Sequence, residues 1–223
     1  MYRLTGHGEG ALSSTLTTSL EKENLDLEEL SLLTAESVPE DASVVLINAP
    51  TSDLNETEAS LLTAFIDNGG GVVLLTDSIT ADKMPNLLAL TGHMGLTVQD
   101  GMIFEGDSNH CLRGYNWYLV PTINSADITD PLVSGGYYTL MPMAQAIVQT
   151  GSGNGTVTSL LTTSDSAYNK ASVTSNTSTE KEDGDTDGPF DLAAAVEFGE
   201  GHFVWFGAAQ MLEELAIQYD IVD

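Results

Sequence analysis

Basic residues are scarce in this sequence of 223 residues, which has 6 Lys and Arg against 33 Asp and Glu and a formal net charge of −27. A nucleic acid would be repelled, because almost no cationic side chains are available to neutralise its phosphates. An anionic membrane surface is disfavoured for the same reason. The composition therefore excludes nucleic-acid partners, and it leaves two explanations of the acidity open: adaptation to high salt and an extracytoplasmic surface.

Cysteine and long apolar segments are also scarce. The single cysteine, Cys111, excludes an intrachain disulfide framework and leaves the redox compartment open. The longest apolar stretches surround Val44–Ile47 and Gly71–Leu75, far short of the roughly 18 residues that a membrane-spanning helix needs. The first residues enter a strand-like segment with no charged or apolar leader. We therefore expect either a cytosolic protein or a domain of a longer one.

Short β-branched or aromatic runs alternate with helical patterns. The runs have the Gly, Pro, Asn or Asp boundaries typical of buried parallel strands, and they cover Tyr2–Thr5, Ser43–Ala49, Gly71–Thr76, Val157–Thr163 and His202–Gly207. Helices are predicted over Ala11–Asn24, Glu56–Asn68 and Met84–Gly92. This alternation predicts an α/β fold with a doubly wound, mostly parallel sheet.

The pattern changes between the two halves of the chain. Residues 96–150 contain extended pieces punctuated by Gly and Pro, which indicates an irregular β-rich insertion or lobe. We expect residues 1–95 and 151–223 to be the first and second halves of the α/β domain. Within the second half, residues 170–188 are acidic and almost without apolar side chains, which predicts a mobile loop. A hairpin through Gly199–Gly201 and a final helix over Gln210–Tyr219 follow.

Several short motifs, in the same order along the chain, resemble the GldG-type auxiliary component of ABC transporters. No single motif is specific, but the ordered set spans nearly the whole sequence. The motifs are Tyr2–Glu9, Val45–Pro50, Leu54–Glu58, Phe65–Gly71, Leu161–Asp165, Gly188–Ala193 and Val204–Gly207.

The resemblance implies a flavodoxin-like or class I amidotransferase-like α/β domain on the extracytoplasmic side of the cell membrane. Such a domain is tethered by flanking transmembrane helices and works beside an ABC permease and its ATPase. The resemblance thus implies that this chain is a domain excised from a membrane-anchored protein, with transporter subunits as its partners.

Neither candidate nucleophile is well placed for catalysis. An amidotransferase-like or hydrolase-like fold puts its nucleophile on a sharp strand-to-helix turn flanked by glycines. The corresponding turn contains Ser78 without those glycines, and Cys111 lies inside the irregular lobe. The adjacent His110 is a poor base for Cys111, because neighbouring side chains diverge in extended chain. We therefore expect no enzymatic activity and no cofactor, with a hydrolase of unidentified nucleophile as the alternative.

Polar residues follow several of the predicted strands. Because the carboxyl ends of parallel strands meet at one edge of a sheet, ligands bind there. We expect that edge to gather His7, Glu9, Asn48, Asp77, Ser164 and Asp165. Such a set could bind a divalent cation or a polar extracellular ligand such as a sugar or peptide. The competing interpretation of Gly6–Glu9 is a capped strand-to-helix turn whose histidine faces solvent.

An acidic motif near residue 185 resembles half of a calcium loop. Asp183, Asp185, Asp187 and Gly188 fit the start of the pattern, but position twelve of the loop is Ala194, which has no oxygen to complete it. We therefore expect no metal site, with adventitious calcium binding at the three aspartates as the weaker alternative.

Aromatic residues concentrate in the irregular lobe, and they favour either a core or a partner-binding surface. They are Tyr115, Trp117, Tyr118, Tyr137 and Tyr138. Because the lobe is poor in leucine, we expect them to form its core. The function predicted from the sequence is a non-catalytic auxiliary domain that acts by protein contact or by binding a polar ligand. A solute-binding module that delivers cargo to the transporter is a further alternative.

The composition of segment 170–188 generates the first testable prediction. If this segment is mobile, limited proteolysis of the native chain should cut it first and leave the two fragments associated, as gel filtration after cleavage would show. First cleavage elsewhere, with segment 170–188 intact in calcium-free buffer, would contradict the prediction.

Overall fold

A mixed ten-stranded sheet forms the centre of the protein in a computed structural model, which describes residues 1–153 and 155–217. The strands are β1 (Tyr2–Leu4), β2 (Glu28–Leu30), β3 (Val44–Asn48), β4 (Gly71–Leu75), β5 (Leu96–Val98), β6 (Met102–Phe104), β7 (Cys111–Leu112), β8 (Tyr115–Leu119), β9 (Thr122–Ile123), β10 (Met141–Pro142), β11 (Ile147–Gln149), β12 (Thr156–Thr162), β13 (Tyr168–Lys170), β14 (Thr186–Asp187), β15 (Asp191–Phe198) and β16 (Gly201–Phe206). The helices are α1 (Ser14–Lys22), α2 (Glu56–Asp67), α3 (Pro85–His93), α4 (Asp130–Gly135) and α5 (Glu214–Ile217), with a 3₁₀ turn over Ala209–Leu212.

The central sheet is parallel on one side and antiparallel on the other. Its order is β2-β1-β3-β4-β16-β15-β11-β5, with β12 also paired to β15 and β9 paired to β12. Strands β2, β1, β3, β4 and β16 are parallel neighbours. Strand β15 runs antiparallel to β16, β12 and β11. The predicted α/β class with a largely parallel sheet is thus confirmed in this coarse form.

Two small antiparallel sheets flank the central one, in the orders β10-β8-β7 and β14-β13-β6. Most of their strands come from residues 96–150, yet β5 and β11 from the same region join the central sheet. The division of the chain at residues 95 and 150 stays a prediction.

Helix α2 shows how local signals position the main core. Asn55 caps its first turn, and Glu58 Oε2 accepts a hydrogen bond from the Asn55 backbone N–H, which completes a capping box. Leu62 and Ile66, one turn apart on the inner face, are fully buried against the sheet. Burial of side chains this size stabilises the fold by about 1.5–3 kcal/mol each. Gly69, with φ +94°, lets the chain leave the helix and enter β4.

Three details of the sequence prediction are wrong. Strand β2 was not predicted, and β12 pairs antiparallel with both of its neighbours instead of parallel. The predicted final helix over Gln210–Tyr219 is replaced by a 3₁₀ turn and the short helix α5, and its residues 218–219 lie outside the described residues.

Residues 170–188 are tied to the fold at several points, although their mobility stays a prediction. Lys170 is buried, and its Nζ lies 2.9 Å from Glu182 Oε2 and 2.8 Å from Asp185 Oδ2. The Thr179 carbonyl accepts hydrogen bonds from the Asn116 side chain and the Tyr168 hydroxyl.

The contact between β16 and α2 generates a prediction about a glycine. A Cβ on Gly201 would lie 2.0 Å from the carbonyl oxygen of Ile66, which is backbone and cannot move aside cheaply. We expect Gly201→Ala to lower the free energy of unfolding by about 1–3 kcal/mol, which is the usual cost of overpacking a buried site. Gly92→Ala is the matched control, because a Cβ there meets no atom within 4 Å and alanine favours the helix by up to about 1 kcal/mol.

Urea denaturation of both variants measures the difference. Equal stabilities of the two variants would show that the contact between Gly201 and Ile66 does not constrain the fold.

Candidate functional site

The turn after β1 packs directly on the turn after β3. The His7 carbonyl accepts hydrogen bonds from the backbone N–H groups of Thr51 (2.9 Å) and Ser52 (3.0 Å). Gly8 has φ +73°, and a Cβ on it would lie 2.1 Å from Thr51 Oγ1. Glycine is required there for both reasons. The two turns therefore form one structural unit at the carboxyl ends of adjacent strands.

A buried imidazole and carboxylate lie at the base of these turns. His7 is 4% exposed and Glu58 is 1% exposed. His7 Nε2 lies 3.0 Å from Glu58 Oε1, and Glu58 Oε2 accepts from the Asn55 backbone N–H at 2.9 Å. The interpretation of His7 as solvent-facing is wrong, because a glutamate 51 residues away reaches it from α2.

Glu58 is the site residue that the sequence analysis missed. Its signal was present, since a glutamate three residues after Asn55 fits a capping box. That pattern predicts a bond to backbone, however, and does not show that the second carboxylate oxygen meets His7.

Glu9 and Asn48 complete the site with two buried oxygens for which the described residues provide no hydrogen-bond partner. Glu9 Oε2 accepts from the His7 backbone N–H at 2.9 Å, but Glu9 Oε1 is buried and unpaired. Asn48 is 4% exposed, and its Nδ2 donates to the Gly10 carbonyl at 3.0 Å, whereas its Oδ1 is buried and unpaired. We call His7, Glu9, Asn48 and Glu58 the turn site. Ala49, next to this site, has φ +48°, which is strained for a residue with a side chain.

The other three residues predicted for this site have surroundings of their own. Asp77 follows β4 and is exposed, and partial desolvation and the negative charge of Glu213 raise the pKa of its carboxyl. Ser164 donates to Glu105 Oε1 at 2.6 Å, and Asp165 is exposed. In residues 1–153 and 155–217, no hydrogen bond or ion pair joins these three residues to the turn site.

Cys111 has an environment that suppresses its reactivity. Desolvation and the charges of Glu105 and Asp107 raise the pKa of its thiol, so the nucleophilic thiolate is rare at neutral pH. The neighbouring His110 places Nδ1 3.2 Å from the Val120 carbonyl oxygen. Ser78, the other candidate nucleophile, is exposed after β4.

Two aspartates of the partial calcium motif contact lysines, and the third is exposed to solvent. Asp185 accepts from Lys170 Nζ and from the Glu182 backbone N–H, both at 2.8 Å, and Asp187 forms an ion pair with Lys181. Asp183 is exposed. Among the described residues, no group of three or more His, Cys, Asp or Glu side chains is arranged to hold a metal ion.

The aromatic residues of the lobe lie largely at the surface. Tyr115, Tyr137 and Tyr138 are 53%, 65% and 67% exposed, so the expectation that these aromatics form the core of the lobe is wrong for them. Leu112, Val120 and Leu140 fill a small core there instead. We use the name aromatic face for five residues that form two groups: Tyr115, Trp117 and Tyr118, whose rings contact one another, and Tyr137 and Tyr138, which line one cavity.

Contacts within the aromatic face fix some of its rings. The Tyr115 ring meets those of Trp117 and Tyr118 at centroid distances of 5.5 and 5.9 Å, both edge-on. Tyr137 and Tyr138 line a cavity of about 280 Å³ together with residues 120–123. Gly136, with φ +66°, precedes this pair and ends α4.

Solved structures with a similar fold share little sequence with this chain. The structure named "mmIFT52 N-terminal domain" superposes with a TM-score of 0.68 at 12% identity, covering 97% of this chain and 89% of that one. "Cytoplasmic Protein STM3548 from Salmonella typhimurium" gives a TM-score of 0.51 at 11% identity, with 93% and 86% covered. These likenesses establish a shared fold alone.

Sequence comparison gives a family. A family model described as "ABC-type uncharacterized transport system" matches residues 3–200. No curated protein matches the chain. In the part of the chain that the structure describes, no helix is long and apolar enough to cross a membrane.

The turn site generates a prediction about Glu58. Glu58→Ala removes the N3 member of the capping box and the partner of His7, and it leaves a buried imidazole without its carboxylate. Charged hydrogen bonds of this kind contribute about 1.5–3 kcal/mol, so we expect a loss of at least about 2 kcal/mol in the free energy of unfolding. Glu56→Ala, the control, removes an exposed carboxylate from the same helical turn and should cost about 0.3–1 kcal/mol.

Urea denaturation at neutral pH tests this pair of variants. If Glu58→Ala were no more destabilising than Glu56→Ala, the buried carboxylate would not hold the two turns together.

Proposed function

Because the chain belongs to the family described as an ABC-type uncharacterized transport system, we propose that it is a non-catalytic auxiliary domain that acts by contacting its transport partners. The family supports an auxiliary component associated with transporter components. The partners proposed here are the ABC permease and ATPase subunits of the same system.

The finer assignment is a GldG-type domain, membrane-anchored through flanking helices and placed on the extracytoplasmic side. The ordered motifs from Tyr2–Glu9 to Val204–Gly207 support the subfamily. The net charge of −27 supports the extracytoplasmic side of the membrane, because the cytoplasmic leaflet carries anionic lipids that repel an acidic domain held close to it.

A flavodoxin-like topology is part of this proposal. The parallel strands run in the order β2-β1-β3-β4-β16, which is the 2-1-3-4-5 order of that fold when β16 is counted as the fifth strand. The antiparallel extension from β15 onward is additional to it.

The exposure of the aromatic face is the observation that supports the proposed contact with a partner protein. Three of its tyrosines are more than half exposed, and tyrosine and tryptophan are enriched in interface hot spots. The partner surface should be apolar at its centre and basic at its rim, since this chain carries 33 acidic residues against 6 basic ones.

Two features favour contact over the alternatives. The raised pKa of Cys111 and the engagement of His110 with Val120 argue against a hydrolase built on this cysteine. The cavity beside Tyr137 and Tyr138, at about 280 Å³, is smaller than the roughly 300–1,000 Å³ of solute pockets, so this particular cavity does not favour a solute-binding module.

The aromatic face can be tested by a double variant. We expect Tyr137→Ser with Tyr138→Ser to reduce co-purification of the permease and ATPase subunits by at least about tenfold, as truncation of hot-spot aromatics does. Leu25→Ser is the control, because Leu25 is an exposed apolar residue outside the aromatic face. Recovery of both subunits by the double variant at the control level would contradict the proposed contact surface.

A further inference from the structure

We propose that the turn site binds a hard divalent cation, Ca²⁺ or Mg²⁺, with Glu9 Oε1 and Asn48 Oδ1 as its protein ligands. This site goes beyond partner contact and does not depend on the aromatic face.

The two unpaired oxygens indicate what kind of ligand would fit the turn site. Buried polar atoms in folded proteins almost always have a partner, yet Glu9 Oε1 and Asn48 Oδ1 have none within residues 1–153 and 155–217. Both are acceptors, so only a hydrogen-bond donor or a cation can satisfy them. The orientation of the Asn48 amide is fixed by its donation to the Gly10 carbonyl, which leaves Oδ1 as the free atom.

Charge favours a cation over a neutral donor. The Glu9 carboxylate forms no ion pair with a lysine or arginine in residues 1–153 and 155–217, and the ring of neighbouring His7 is paired with Glu58. The net charge of −27 raises the local concentration of cations. Carboxylate and amide oxygens are the ligands that Ca²⁺ prefers, and Mg²⁺ binds one or two carboxylates and keeps several waters.

The ligands are held in place by the fold itself. Gly10 N–H donates to the Asn48 carbonyl at 2.8 Å, and Asn48 Nδ2 donates back to the Gly10 carbonyl at 3.0 Å. Glu9 immediately precedes Gly10, and its other carboxylate oxygen is fixed by the His7 N–H. The side chains of Glu9 and Asn48 are therefore both anchored beside Gly10, Glu9 as its neighbour in sequence and Asn48 through its side-chain hydrogen bond. A cation site needs this kind of preorganisation.

Isothermal titration calorimetry with CaCl₂ and, separately, MgCl₂ tests the site on the 223-residue chain after dialysis against EDTA. A background of about 0.15 M KCl screens charges beyond about 8 Å and suppresses diffuse binding. We expect one saturable site in the native chain. Glu9→Gln, which keeps the size and the acceptor for His7 N–H, should weaken that site at least about tenfold, equivalent to about 1.4 kcal/mol.

Glu21→Gln is the matched control, since it removes the same charge from an exposed position on α1 and should leave the affinity within about twofold. Equal weakening in both variants would show that only the overall charge attracts the cation, and it would overturn the proposal. Absence of a saturable site for either metal would overturn it as well.

A measurement on the unmodified chain keeps the proposal testable if Glu9→Gln fails to fold. In ¹H–¹⁵N spectra, the side-chain amide of Asn48 should shift on titration more than that of Asn68, a surface residue at the end of α2. An Asn48 amide that does not move while the metal binds would place the cation elsewhere and refute the assignment.

Discussion

The pairing of β16 with β4 is the constraint on which the rest of the fold depends. It joins residues about 130 positions apart in five registered pairs, from His202 with Gly71 to Phe206 with Leu75. The pairing continues past the strands, because Thr76 N–H donates to the Phe206 carbonyl at 3.0 Å and Trp205 Nε1 donates to Thr76 Oγ1 at the same distance. Trp205 and Thr76 are both fully buried, so neither polar atom has water as an alternative partner.

This pairing converts a parallel sheet into a mixed one. Strand β16 arrives parallel to β4 and brings with it β15, which runs antiparallel and carries β12 and β11 on its other side. The turns after β1 and β3 remain neighbours at one edge and build the turn site. Ser164, after β12, lies beyond β15 and bonds to Glu105 instead.

The sequence predicted the elements whose signals are local. Helix α2 has its cap, its apolar face and its terminal glycines within one short segment, and the hairpin of β15 and β16 has its turn residues between its strands. Strand β2 lacks such a signal, since two of its three residues are exposed glutamates. It lies at the edge of the sheet, where Glu29 pairs with Arg3 at 2.6 Å. The direction of β12 was predicted wrongly, because a short run rich in β-branched residues does not by itself distinguish a parallel strand from an antiparallel one.

The same distinction applies to the candidate site. His7, Glu9 and Asn48 were predicted together with Asp77, Ser164 and Asp165, because each was expected at the carboxyl end of a parallel strand. The burial of His7 depends on Glu58, which lies 51 residues away and meets it only once α2 has packed. The surface position of Tyr137 and Tyr138 depends on how α4 ends at Gly136, so composition alone favoured a buried role for them.

The scarcity of basic residues connects the two proposed functions. In the described part of the chain, half of the 6 basic residues, namely Arg3, Lys170 and Lys181, form ion pairs with carboxylates. So few basic residues cannot pair with most of the 33 acidic ones. Carboxylates that stay in water need no protein partner, because water solvates them. Glu9 Oε1 is buried, so water does not solvate it, and burying such an atom without a partner is unfavourable. Tyr137 and Tyr138 are in the opposite situation, since their apolar surface is exposed where burial would be favourable. In both cases the described part of the chain does not supply the complementary group. A cation at the turn site and a basic, apolar partner at the aromatic face would each supply it.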